Sequence, residues 1–130
     1  MPATPCVLAV VREPSEFAGI AATLSAAGIE ARRAADLLDA VLHQADSPVG
    51  VVLCDADEVD WPTAVELFRV VRAPAAVVFL TRLADERLWV QMLEAGAHDL
   101  LEKPYRPQDL TWVVRAALNK QNNSAAVSAA

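Results

Sequence analysis

The chain lacks several things that would place it in common functional classes. No apolar run reaches the ~18 residues of a membrane span, and Met1 to Pro5 carries no basic stretch leading into an apolar one, so neither a span nor a signal peptide is expected and a cytoplasmic location follows. Basic residues are in deficit: 11 Lys and Arg against 17 Asp and Glu give a formal charge of −6. Such a surface repels phosphate backbones, which excludes direct nucleic-acid binding. Glycine is scarce, at 4 residues, and no glycine-rich phosphate loop is present. The two cysteines, Cys6 and Cys54, lie apart inside apolar runs and read as small buried hydrophobes, not as a disulfide or zinc set. His43 and His98 have no partner at metal-ligand spacing.

What is present is apolar: 55% hydrophobic against 22% charged residues, enough for one packed domain in 130 residues. Short continuous apolar runs alternate with amphipathic stretches. The runs are Cys6 to Val11, Gly50 to Cys54 and Ala75 to Leu80, and the more polar Ile29 to Ala34 and His98 to Leu101 read as two further short strands. Continuity, in place of alternation, marks strands covered on both faces. Between them, helices are expected from Pro14 to the stop at Gly28, over Asp36 to His43, from Pro62 through Val71, over Asp85 to Ala95, and from Pro107 to Lys120. Asp46-Ser47-Pro48 reads as a turn. The domain is taken as residues 1–120, and residues 121–130, which show no packing pattern, as a disordered tail. Five strand–helix repeats predict an α/β fold with a parallel sheet between two helix layers.

In such folds chemistry gathers at the carboxyl ends of the strands. Those ends carry Arg12 and Glu13, then Asp55 and Asp57, then Thr81 and Arg82, then Lys103, Pro104 and Tyr105. Carboxylates, a hydroxyl and an ammonium in one place suit phosphoryl transfer to a carboxylate. The aspartate is the nucleophile, and the donors meet the charge of the incoming group.

The run Leu93-Glu94-Ala95-Gly96-Ala97-His98-Asp99-Leu100-Leu101-Glu102-Lys103-Pro104-Tyr105, with Val77 to Thr81 before it, resembles the receiver domains of bacterial response regulators. The likeness extends from Cys6 to about Asn119. It implies a flavodoxin-like three-layer α/β/α sandwich of five parallel strands and five helices. It also implies that Asp55 is the phosphoacceptor, Lys103 the phosphate-contacting lysine, Thr81 the switch hydroxyl and Tyr105 the switch aromatic. The Lys103–Pro104 bond is expected to be cis. Magnesium is the implied cofactor, with Asp55, the carbonyl of Asp57 and an acidic pair after the first strand as ligands. A histidine kinase or phosphotransfer protein is the implied donor. An output domain or protein is the implied target, and no metabolic turnover is implied. Partner binding and a homodimer contact are implied on the fourth helix, fifth strand and fifth helix. Trp89, in the apolar triplet Leu88-Trp89-Val90, is expected to point outward there, with Tyr105 and Trp112.

Two features depart from the family pattern. The acidic pair falls on Val11 and Arg12, or on Arg12 and Glu13, so at least one carboxylate is replaced. Glu13 is then the substitute metal ligand, or Arg12 pairs with Asp55 in place of a cation. The loop Ala56 to Pro62 is also one residue longer than usual, and the expected glycine falls on Ala64. Two functions stay open: a phosphoaccepting receiver, and a pseudo-receiver that works as an interaction module without phosphorylation. A flavin- or nucleotide-binding domain ranks behind both, for want of a phosphate loop.

Overall fold

The computed structural model describes residues 6–46, 49–70, 75–83 and 85–129. Five strands and five helices alternate: β1 (Cys6–Val10), α1 (Pro14–Ala26), β2 (Ala31–Ala34), α2 (Leu37–Asp46), β3 (Val49–Asp55), α3 (Trp61–Val70), β4 (Ala76–Thr81), α4 (Glu86–Ala95), β5 (Asp99–Glu102) and α5 (Pro107–Ala129). All strands are parallel, in the order β2-β1-β3-β4-β5. The chain moves outward from β1 in one direction and from β3 in the other, which opens a crevice at the carboxyl ends of those two strands.

The continuous apolar runs become the three central strands, buried along their whole length. Successive residues point to opposite faces, so one run feeds two cores. Cys6, Leu8, Val10, Val52, Cys54, Val77 and Phe79 face Ala40, Ala64, Val65, Phe68 and Met92 of α2, α3 and α4. Val7, Ala9, Val11, Val51, Leu53, Val78 and Leu80 face Ile20 and Leu24 of α1 and Leu110, Val113, Val114 and Ala117 of α5. Both cysteines are buried thiols, and burial pushes the Cys54 thiol up to about 12, so it stays protonated and inert.

Helix ends follow local chemistry. Asp85 caps α4 by accepting from the Leu88 N–H at 2.7 Å, and Gly96 ends it at φ 114, where a side chain would be strained. Pro14 opens α1, as its missing N–H allows. The edge strand β2 is shorter than the expected Ile29 to Ala34, and only Ala34 of it is buried. α5 runs past the expected Lys120 to Ala129, since no glycine or proline after Pro107 interrupts it. Val71 and the turn residues Ser47 and Pro48 lie outside the described residues. Among the described residues no helix is long and apolar enough to cross a membrane.

Phe79 is fully buried in β4 and meets Trp61 edge-on, with ring centroids 6.2 Å apart. Phe79→Ala is expected to cost about 3–5 kcal/mol of unfolding free energy through the cavity it leaves. Urea denaturation checks this, and a loss below about 1 kcal/mol would contradict the packing described.

Candidate functional site

The site is built where β3 ends. Asp55 is the last residue of that strand, and its side chain points into the crevice at 1% exposure. A carboxylate so placed needs partners. The Lys103 ammonium donates to its Oδ2 at 2.7 Å, and the Asp57 backbone N–H donates to its Oδ1 at 2.8 Å. The loop after Asp55 closes tightly, as the N–H groups of Glu58 and Val59 both donate to the Asp55 carbonyl at 3.2 Å. That turn brings Glu58 back toward the Asp55 side chain.

Lys103 follows β5 and is tied to β4 by its own N–H, which donates to the Thr81 carbonyl at 2.8 Å. The Lys103–Pro104 bond is cis. Besides Asp55, the ammonium meets Glu16 at 3.3 Å and Asp57 at 3.8 Å. Burial alone would pull its pKa down. Asp55 and Glu16 outweigh burial and hold it above the ordinary lysine value of 10.5. Thr81, at 1% exposure, donates its hydroxyl to Asp57 Oδ1, and the Arg82 N–H donates to Asp57 Oδ2 at 2.9 Å. For Asp57, burial works against ionisation, but the Thr81, Arg82 and Lys103 contacts win and lower its pKa.

Among the described residues, Glu16, Asp55 and Glu58 offer carboxylate oxygens within 4.8 Å of one another. Hard oxygen donors at this separation fit a magnesium ion. Burial first, and the neighbouring Asp55 charge second, raise the Glu58 pKa. A cleft of about 770 Å³ is lined by Glu13, Ser15, Glu16, Arg82, Lys103, Pro104 and Tyr105, and Glu16 is the member of the carboxylate group that reaches it.

Several expected placements change. Glu13 does not join the carboxylates. It is the exposed residue before α1 and only lines the cleft. One turn further on, Glu16 takes that position, because helix side chains lean back over the preceding turn. Arg12 pairs with Glu58, not Asp55: its N–H donates to Glu58 Oε2 at 3.0 Å and its Nε stands 3.7 Å away. Arg33 of β2 donates to the carbonyls of Val11 and Arg12 and so braces the loop after β1. Trp89 is exposed on α4, and Tyr105 is half-buried. Trp112 is exposed too, but it lies beside Thr23, Ala26 and Ala27 of α1, away from α4. On α5 the residues Leu110, Val113, Val114 and Ala117 take the sheet side, which turns Trp112 outward toward α1.

The sequence alone does not single out Glu16, Glu58 or Arg33 as site residues. The available signal was spacing: Glu16 follows Glu13, and Glu58 follows Asp55, by one turn of chain.

Lys103→Met leaves the buried Asp55 carboxylate without its cation and is expected to cost about 3 kcal/mol. A group whose folded pKa is raised stabilises below its unfolded pKa and loses that contribution as pH rises through the folded value. The deficit of the variant should therefore be constant through neutral pH and shrink only above 10.5. Urea titrations of both proteins across that range check it.

Comparison with known proteins agrees with this geometry. Residues 7–115 match the family model described as the response regulator receiver domain. The transcriptional regulatory protein TdiR of Thauera aromatica is 45% identical over 42 residues, which are 32% of this chain and 18% of TdiR. The chain thus spans under a fifth of that relative. NtrX from Brucella abortus superposes with a TM-score of 0.86 at 25% identity, over 97% of this chain and 29% of NtrX. The Vibrio cholerae chemotaxis protein CheY4 does so with a TM-score of 0.75 at 26% identity, over 89% of this chain and 100% of that one. With an aspartate buried at the head of the sheet and a lysine reaching it from the last strand, this chain belongs to the response regulator receiver domains of two-component signalling.

Proposed function

We propose that the chain accepts a phosphoryl group on Asp55 from a histidine kinase or phosphotransfer protein and passes the signal on through a partner-binding face. The observation that carries this reading is the 2.7 Å contact between Lys103, which lines an open cleft, and Asp55. A carboxylate oxygen of Asp55 attacks phosphorus, and the donor's P–N bond breaks. The electron pair stays on the leaving nitrogen, which takes a proton from solvent, and an acyl phosphate remains on Asp55. Lys103 offsets the charge that spreads over the transferring group.

Glu16, Asp55 and Glu58 would hold magnesium, with the Asp57 carbonyl adding a further oxygen. The ion supplies charge neutralisation at the acceptor when bound. Each carboxylate serves a second purpose in this scheme. Glu16 steadies Lys103, and Glu58 anchors the Arg12 backbone.

Thr81 and Tyr105 are the groups that would respond to the modification. The surface that answers them is α4, where Trp89, Val90 and Leu93 are 45%, 45% and 38% exposed. Apolar groups at such exposure suit an output domain, a partner protein or a second copy. The cytoplasm, where kinases find ATP, is the location this reading requires. The alternative reading, a receiver that signals without phosphorylation, rests on Arg12 standing where the acidic pair is expected.

Incubation with a small phosphodonor and magnesium, followed by intact-mass measurement, separates the two. A gain of one phosphate that Asp55→Asn abolishes is expected, and no gain in either protein sinks the acceptor reading. In parallel, magnesium should raise unfolding free energy by about 1–3 kcal/mol at saturation. Glu16→Gln and Glu58→Gln should each weaken that effect. Calorimetry in the presence and absence of the ion checks it, and equal responses in all three proteins would move the ion elsewhere.

A further inference from the structure

The donors that the proposed chemistry needs already hold an anion. The Thr81 hydroxyl and the Arg82 N–H both donate to the side chain of Asp57, and the Lys103 ammonium stands 3.8 Å from its Oδ2. A hydroxyl, a backbone N–H and an ammonium converging on one small anion is the donor set that suits a phosphoryl group. Asp57 reaches it because the loop after β3 turns back on itself, with the Asp57 N–H fixed on Asp55 Oδ1.

The two sides of this contact differ in freedom. Thr81 is 1% exposed and is held further by the Leu83 N–H, which donates to its hydroxyl oxygen at 3.0 Å. The Asp57 side chain is 26% exposed and lies on a loop. When the donors must serve another anion, Asp57 is the group that can leave, because it has solvent to move into.

We propose that the Asp57 carboxylate is a built-in occupant of the phosphoryl cradle: it engages Thr81 and Arg82 while Asp55 is unmodified, and it must be displaced when Asp55 carries a phosphoryl group. The inference rests on the reading of Asp55 as acceptor. Both anions need the same hydrogen-bond donors, and their like charges disfavour simultaneous occupancy. The unmodified domain therefore keeps Thr81 turned into the site with no modification present. Phosphorylation replaces one anion by another there instead of filling an empty place.

The test uses the full chain, with Asp57→Ala and Asp57→Asn, phosphoramidate and magnesium as the probe, and two readouts. The first is the Arg82 amide in a nitrogen–proton correlation spectrum, which needs no phosphorylation. It should lie downfield in the native protein and move upfield in Asp57→Ala. The second is the rate of labelling at Asp55 by intact mass. Asp57→Ala should label about tenfold faster, the scale of one charge-assisted hydrogen bond no longer in competition. Asp57→Asn, which keeps an acceptor for Thr81 but turns an amide toward Arg82, should fall between. An Arg82 amide unmoved by Asp57→Ala overturns the proposal, and so does labelling of the native and Asp57→Ala proteins at the same measurable rate. A moved amide with no labelling in either overturns only the acceptor reading, and leaves Asp57 as the permanent occupant.

Discussion

Lys103 is the cation around which four carboxylates are gathered, and the placing of the other site residues follows from that imbalance. Asp55, Glu16 and Asp57 lie within 4.0 Å of its ammonium, and Glu58 is a near neighbour of the first two. Acidic side chains this close repel one another, and one ammonium cannot neutralise all of them. The fold meets the excess locally. Thr81 and the Arg82 N–H hold Asp57, the Arg12 N–H holds Glu58, and part of the burden on Glu58 is met by a raised pKa. A site with spare negative charge and a cleft above it is ready for a divalent cation or for a group that brings cations with it.

The sheet makes the gathering possible. Lys103 and Asp55 are remote in sequence, yet β3, β4 and β5 are neighbours in register, with Asp55 beside Leu80 and Thr81 beside Glu102. Parallel pairing sends every strand's carboxyl end to the same edge. In β1, β3 and β4 one continuous apolar run therefore serves two purposes. It supplies both cores, and it delivers the polar residue that follows it to the crevice.

The departures from the family pattern gain a physical account in this frame. Val11 is buried with the α1 and α5 core, so it cannot offer a ligand, and Arg12 is turned outward with a side-chain exposure of 73%. The carboxylates that stand with Asp55 are Glu16, one turn into α1, and Glu58, one turn beyond Asp55. The Arg12–Glu58 ion pair is largely solvated and contributes little to stability. Its effect is to hold the loop after β1 near the loop after β3.

Strand order, helix order, both buried cysteines and the grouping of Asp55, Asp57, Thr81 and Lys103 were legible in the sequence, because apolar continuity and helical period are local properties that survive folding. The resemblance carried by Ala95 to Tyr105 identified the family on the same local grounds. What the sequence by itself determined, then, was which residues stand at strand ends. Which of their neighbours reach inward was decided by tertiary structure. Glu13 and Glu16 are the same residue type one turn apart, and only the pitch of α1 over the crevice selects Glu16. Trp112 and Trp89 are both exposed, and only the packing of α5 against the sheet turns Trp112 toward α1. The hold of Asp57 on Thr81 depends on the path of a loop, set by hydrogen bonds between residues distant in sequence, and no local pattern encodes it.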